Sequence, residues 1–213
     1  MYEIGYKAPK EKHGRFAEDK NVQETFKKRC KLLFDLLGAV TNKKVLDLGA
    51  GACDYSIEFA KMGADVTAID LSKDRMEFGL KQFPDVTVKC HESSMENLPV
   101  KDKFDIILIF NSFRYVENKE KVISEIKRVS RKGTKIILIE QNPTGAGRLK
   151  ASKEEQQKWF KPVIFDKNFS KIYSTTYFNY HNKVPKKIIE VLNKFRLFGL
   201  FGNEYLCIYK VKE

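Results

Sequence analysis

No apolar run in these 213 residues approaches the roughly 18 that a membrane-spanning helix needs, and the longest, residues 106–110, is the length of a strand. The opening stretch MYEIGYKAPKEKHGR puts charges where an export signal needs its apolar segment, so the expectation is a soluble, cytoplasmic protein. Cysteine is sparse: Cys30, Cys53, Cys90 and Cys207 are scattered, with no CxxC pair and no histidine at zinc-ligand spacing. That argues against a disulfide framework and against structural zinc, and no metal site is expected. Internal repeats and low-complexity tracts are also missing, which excludes a solenoid. The 42% hydrophobic content suffices for one core, so residues 1–213 are expected to form a single domain.

Acidic residues are in short supply only at one end. Residues 1–42 carry nine basic and six acidic side chains, residues 43–140 carry 17 and 16, and residues 141–213 carry 14 and six, for a total of +12. A basic surface draws anions such as nucleic acid, phosphorylated metabolites or acidic lipids. The lysines are dispersed, however, and equally suit a solvated surface.

Hydrophobic spacing sets out the elements. Val22, Phe26, Cys30, Leu33, Phe34 and Leu37 recur at helical intervals, with Gly38 as a stop signal. An alternation follows: strand 44–48, helix 54–62, strand 65–70, helix 72–82, strand 86–90, strand 104–110, helix 118–130 and strand 134–140. Short strands alternating with helices predict an α/β, doubly wound, mostly parallel sheet with helices on both faces. Beyond residue 141 the pattern changes. A polar helix over 151–159, a Tyr/Thr-rich strand over 169–180, a helix opened by Pro185 and a strand over 205–211 are expected, the last two strands as an antiparallel edge that brings the sheet to seven.

The chemistry concentrates in VLDLGAGACDYSIEFAKMGADVTAIDLS, residues 45–72. Gly49, Ala50 and Gly51 fall between a strand and a helix, where ligands bind in open α/β sheets, and glycine lets the backbone pass close to a ligand. Asp70 ends the next strand 19 residues after Gly51, where a carboxylate can accept hydrogen bonds from the two hydroxyls of a ribose. A dinucleotide fold wants a third glycine for close helix packing, yet Ala52, Cys53 and Asp54 follow Gly51 here. A carboxylate at Asp47 would repel a diphosphate and attract an ammonium or sulfonium. A nicotinamide-dependent oxidoreductase is therefore disfavoured. The plainer alternative makes Asp47 an orienter of the loop and Asp70 part of a helix cap.

With its acid-x-Gly-x-Gly turn and its acid after the second strand, this segment resembles the class I S-adenosylmethionine-dependent methyltransferases, of the Rossmann-like, small-molecule type. The resemblance runs over residues 43–140 and includes SSMENLP, residues 93–99, where that family has Gly-Asp-Ala-x-x-Leu-Pro. It implies an enzyme that binds S-adenosyl-L-methionine and releases S-adenosyl-L-homocysteine. By the same resemblance Asp47, Gly49, Ala50, Gly51, Asp70 and Leu71 surround the cofactor, Ser94 and Met95 lie against its adenine, and Phe110 and Asn111 lie near its methionine part. Ser94 departs from the family's acid, although a hydroxyl can accept the same hydrogen bond. Cys53 stands where a third glycine is frequent. The chain then divides into an amino-terminal helical cap over 1–42, a cofactor-binding core over 43–140 and a substrate-side elaboration over 141–213. Tyr2, Tyr6 and Phe16 are expected to fold over the cofactor.

Methyl transfer from a sulfonium is an in-line displacement that chiefly demands alignment and exclusion of water, with a general base only where the acceptor must lose a proton. Glu140, His13, Tyr115 and His181 could reach a central cleft, but none sits in a recognisable signature, and the catalytic residue stays open. Cys53 and Cys90 read as small core residues, and His13, His91 and His181 as surface or satisfied histidines. Family members that methylate exocyclic amines of bases carry Asn or Asp followed by Pro-Pro-aromatic, whereas this chain reads NSFRY over 111–115, which disfavours that activity. Trp159, Phe160, Phe165, Phe169, Tyr173, Tyr177, Phe178 and Tyr180 alternate with Lys158, Lys161, Lys167 and Lys171. They suit a lid over a small acidic, aromatic or lipid-like acceptor, with packing at the sheet edge as the plain reading. The alternatives are a methyltransferase acting on RNA, whose bases would stack on those rings, and a protein that binds the cofactor without catalysis. No motif specifies an oligomeric state.

Overall fold

The computed structural model describes residues 14–16, 20–141, 163–177 and 204–211. Helix α1 (Lys20–Leu37) turns Phe26, Cys30, Leu33 and Leu37 onto one buried face. It stops at Gly38, whose φ of +73° is a left-handed conformation suited to glycine. Seven strands follow: β1 (Lys44–Leu48), β2 (Asp65–Asp70), β3 (Lys89–Glu92), β4 (Phe104–Phe110), β5 (Ser130–Gln141), β6 (Phe169–Tyr177) and β7 (Glu204–Val211). Between them lie helices α2 (Asp54–Lys61), α3 (Lys73–Leu80), α4 (Lys119–Val129) and α5 (Val163–Asn168). Short 3-10 turns span Gly14–Phe16 and Phe113–Tyr115.

The sheet order is β3-β2-β1-β4-β5-β7-β6. Strands β1 to β5 run parallel, β7 pairs antiparallel with β5, and β6 pairs antiparallel with β7. The expected parallel sheet with an antiparallel carboxyl-terminal edge is what the chain forms. The order reverses between β1 and β4, and a crevice opens outside their carboxyl ends at such a reversal.

Both faces of the sheet are covered, which explains the continuous apolar runs in β4 and β5. On one face Val45, Val66, Leu108, Ile137 and Leu206 pack against Leu33 and Leu37 of α1 and Phe59 of α2. On the other, Leu46, Ile107, Ile109, Leu138 and Cys207 meet Val122 and Ile126 of α4 and Phe165 of α5. Met76 of α3 and Ile57 of α2 close a smaller cluster over Ala68, with Cys53 inside it and Cys90 packed against it, as the reading of both as small core residues requires. All four cysteines are free thiols. Among the described residues no helix is long and apolar enough to cross a membrane.

Two strands start three or more residues from where the sequence reading places them. Strand β3 begins at Lys89 rather than residue 86, because pairing with β2 starts only at Thr67 opposite Lys89. Strand β5 begins at Ser130 rather than 134, because Ser130 already pairs with Phe104 before a register shift absorbs the residues around Gly133. Helix α5 was not anticipated. The helices expected over 151–159 and after Pro185, and the strand's last residues 178–180, lie outside the described residues.

Candidate cofactor-binding site

The glycine loop leaves β1 at the reversal of strand order and is fastened to the neighbouring strand by its own backbone. The Gly49 and Ala50 N–H groups both donate to the Ile69 carbonyl, at 2.8 and 3.0 Å. Gly49 has a φ of +74°, and a Cβ there would lie 2.4 Å from Ser112 Cβ and 3.3 Å from the Met95 methyl. No larger residue fits without moving the turn after β4. The loop thus lies directly between Ser112, whose hydroxyl donates to the Leu48 carbonyl at 2.9 Å, and Met95.

The close approach that a third glycine usually provides comes from another element. A Cβ on Gly79, in the last turn of α3, would stand 1.8 Å from the Ala52 carbonyl oxygen, so the glycine lets α3 lie against the loop. Cys53 takes the left-handed conformation that caps α2, with φ of +60°. A glycine inside a helical pattern was the available signal for this contact, and it was passed over.

Asp70 ends β2 with both carboxylate oxygens engaged. Oδ2 accepts from the Gly51 N–H at 2.8 Å and Oδ1 from the Ser72 N–H at 3.0 Å. The acid therefore sets the glycine loop and the entrance to α3 relative to one another. The cap itself is made by the Ser72 hydroxyl, which accepts from the Arg75 N–H at 3.3 Å. Beside it Leu71 is 67% exposed, a large apolar side chain left mostly uncovered next to Asp70. The Arg75 guanidinium borders the same loop, 3.1 Å from where a Gly51 Cβ would be.

Asp47 does not face this rim. It is buried on β1 and accepts a hydrogen bond from the Ser56 hydroxyl of α2 at 2.7 Å. Burial pushes its carboxyl up to about 7, against the lowering effect of Ser56. Near neutral pH it is therefore partly protonated. In the loop after β3, the Ser94 hydroxyl accepts from the Glu96 N–H at 3.1 Å, so one of its lone pairs is already engaged. The Glu96 carboxylate in turn receives the Glu117 and Asn118 N–H groups and ties this loop to the start of α4.

At the end of β4, Phe110 and Asn111 meet groups that the sequence reading missed. The Arg29 guanidinium of α1 lies 4.7 Å from the Phe110 ring centre and donates to the Tyr55 hydroxyl at 3.0 Å. It also pairs with Glu204 at 2.7 Å, both side chains being about 5% exposed or less. Asn111, in a left-handed conformation with φ of +49°, donates its side-chain amide to the other oxygen of Glu204 at 3.2 Å. Its own Oδ1 is buried with no hydrogen-bond partner among the described residues.

Among the suggested bases, Tyr115 is 64% exposed, and His13 and His181 are outside the described residues. Glu140 at the end of β5 is 1% exposed and accepts from the Phe113 N–H at 2.8 Å, which holds the 3-10 turn after β4. Burial pushes its carboxyl up to about 7, opposed by the Arg114 cation. Among the described residues no cluster of three or more His, Cys, Asp or Glu could hold a metal ion.

Comparison with known proteins agrees with this geometry. Residues 46–138 match the methyltransferase domain family. The demethylmenaquinone methyltransferase of Renibacterium salmoninarum is 33% identical over 116 residues, covering 54% of this chain and 48% of that protein. The sterol 4-C-methyltransferase of Caenorhabditis elegans is 23% identical over 192 residues, covering 76% of this chain and 58% of that protein. The chain spans about half the length of the relatives it matches. In fold, it is similar to the N-methyltransferase NodS of Bradyrhizobium japonicum bound to S-adenosyl-L-homocysteine, with a TM-score of 0.66 at 12% identity, covering 92% of this chain and 94% of that one. The matched segment, which resembles a methyltransferase domain, holds the strand reversal, the glycine loop and Asp70 together.

Proposed function

We propose that this protein transfers the methyl group of S-adenosyl-L-methionine to a small-molecule acceptor. The observation that carries the reading is Asp70, which is fixed by the Gly51 and Ser72 N–H groups at the rim of a loop that approaches within contact of the turn after β4. The fit to the cofactor rests on the residues present. Exposed Leu71 offers an apolar surface for the adenine, Gly49 lets the loop pass against Ser112 and Met95, and Asn111 Oδ1 is a buried acceptor without a donor among the described residues. Asp70 would receive the ribose hydroxyls, Ser94 and Met95 would border the adenine, and Gly49, Ala50, Gly51, Phe110 and Asn111 would surround the methionine part.

When bound, the cofactor would supply an electrophilic methyl group, which an aligned nucleophile takes as the carbon–sulfur bond breaks and the thioether leaves uncharged. The chain's part is alignment. Glu140 holds the Phe113–Tyr115 turn through the Phe113 N–H, and Ser112 from that segment braces the Leu48 carbonyl at the start of the glycine loop. Residues 43–140 would thus form the cofactor core, while 1–42 and 141–213 would shape the acceptor side of one domain. A cytoplasmic location is proposed from the sequence alone.

The acceptor we favour is an apolar ring compound carrying a hydroxyl or an acidic carbon. Two relatives are named for methylation of a quinone precursor and of a sterol, and the carboxyl-terminal third alternates aromatic rings with lysines. The test is transfer of radiolabelled methyl from S-adenosyl-L-methionine to a demethylated quinol, a sterol and single-stranded RNA, each offered separately. Label entering the quinol or the sterol supports the reading. Label entering only RNA would replace the acceptor class, and tight cofactor binding with transfer to none of the three would favour a non-catalytic binder.

A further inference from the structure

The buried polar groups farthest from the matched domain converge on Asn111. Arg29 comes from α1 and Glu204 from the first residue of β7, 175 residues later, yet they form an ion pair almost sealed from solvent. Glu204 spends its Oε2 on Arg29 and its Oε1 on the Asn111 amide N–H. An ionised carboxylate accepts and never donates, so it sorts the two ends of the asparagine amide. Nitrogen turns to Glu204, and Oδ1 is left facing away without a partner among the described residues. The Asn111 backbone is pinned as well, by its N–H to the Ile139 carbonyl at 2.8 Å. Next in sequence, Ser112 touches the site where a Gly49 Cβ would be, which sets Asn111 one residue from a contact with the glycine loop.

We propose that Arg29 and Glu204 are positioning residues that hold the Asn111 amide oxygen toward the glycine loop as the acceptor for the α-ammonium group of the cofactor. The inference rests on the reading of that loop as the S-adenosylmethionine site. Nothing in a cofactor-independent core requires the device. Two apolar residues of similar volume can often replace a buried ion pair without loss of fold, so the pair is weak evidence of a purely stabilising role. Asn111 itself tolerates the left-handed backbone that its place after β4 demands, as few other residues with a carbonyl side chain would.

The test uses two nucleosides that differ in the amino-acid part. S-adenosyl-L-homocysteine carries the α-ammonium, and 5′-methylthioadenosine lacks it. Calorimetric affinities for both are measured on the full chain, on Asn111→Gly, which keeps the backbone conformation and removes the oxygen, and on the paired Arg29→Met/Glu204→Leu variant, which removes both charges together. The expected result is about tenfold weaker S-adenosyl-L-homocysteine binding in both variants, the loss of one charge-assisted hydrogen bond, with methylthioadenosine affinity unchanged within about twofold. Equal losses for the two nucleosides, or no loss for either, would overturn the positioning role while leaving the cofactor reading intact. Failure of the unmodified protein to bind either nucleoside would overturn the cofactor reading and this inference with it.

Discussion

Two carboxyl groups in this protein are buried where a charge is costly. Asp47 and Glu140 both have pKa values raised to about 7 by burial, from ordinary values near 4. Between those limits the folded chain binds protons that the unfolded chain has released, so each group's contribution to stability is full in acid and is lost as pH rises through about 7. Glu140→Gln keeps an acceptor for the Phe113 N–H and removes the titration. Thermal denaturation should find the variant as stable as the parent at pH 5 and more stable at pH 8, by on the order of 2–3 kcal/mol. A difference that does not change with pH would mean that Glu140 is ionised throughout. Leu71 shows the opposite separation, because its side chain is 67% exposed. Leu71→Ala should leave the melting temperature within about a degree while weakening S-adenosyl-L-homocysteine binding several-fold, since it removes apolar surface only from the liganded state. An unchanged affinity would place the adenine elsewhere.

At the scale of elements, the contact that organises the site is α3 against the glycine loop. Gly79→Ala drives a methyl group into the Ala52 carbonyl, which is backbone and cannot swing aside. The expected cost is about 3 kcal/mol in chemical denaturation, together with weaker cofactor binding as the loop shifts. A neutral substitution would show that α3 can slide. This contact also marks where sequence reading stops. Strands β1, β2 and β4 were legible residue by residue, because buried strands write their burial into continuous apolar runs bounded by turn residues. Asp70 and the glycines were legible because their spacing is local. The Arg29–Glu204–Asn111 device was not, because it joins residues distant in the chain and each of the three reads alone as an ordinary polar residue. The start of β3 was misplaced because residues 86–88 have strand composition but no partner on β2, and pairing rather than propensity fixes a strand end.

For the whole molecule, the division of labour follows the sheet. The parallel half, β1 to β5, carries the glycine loop and Asp70, and the antiparallel half brings Glu204 to the same edge from the far end of the chain. Two carboxylates therefore bracket the end of β5 from opposite faces: Glu140 on the α4 and α5 side with Tyr205 opposite it, and Glu204 on the α1 side. The charge excess lies in residues 141–213, while the segment 43–140 that carries the glycine loop and Asp70 is nearly neutral. The loop between β1 and α2 is proposed to take a sulfur nucleoside. Isothermal titration of the full chain with S-adenosyl-L-methionine, S-adenosyl-L-homocysteine and NAD, with Asp70→Asn alongside, tests it directly. Micromolar binding of both sulfur nucleosides, weakened at least tenfold in the variant and absent for NAD, is the predicted result. Binding of NAD alone, or undiminished binding in the variant, would contradict it.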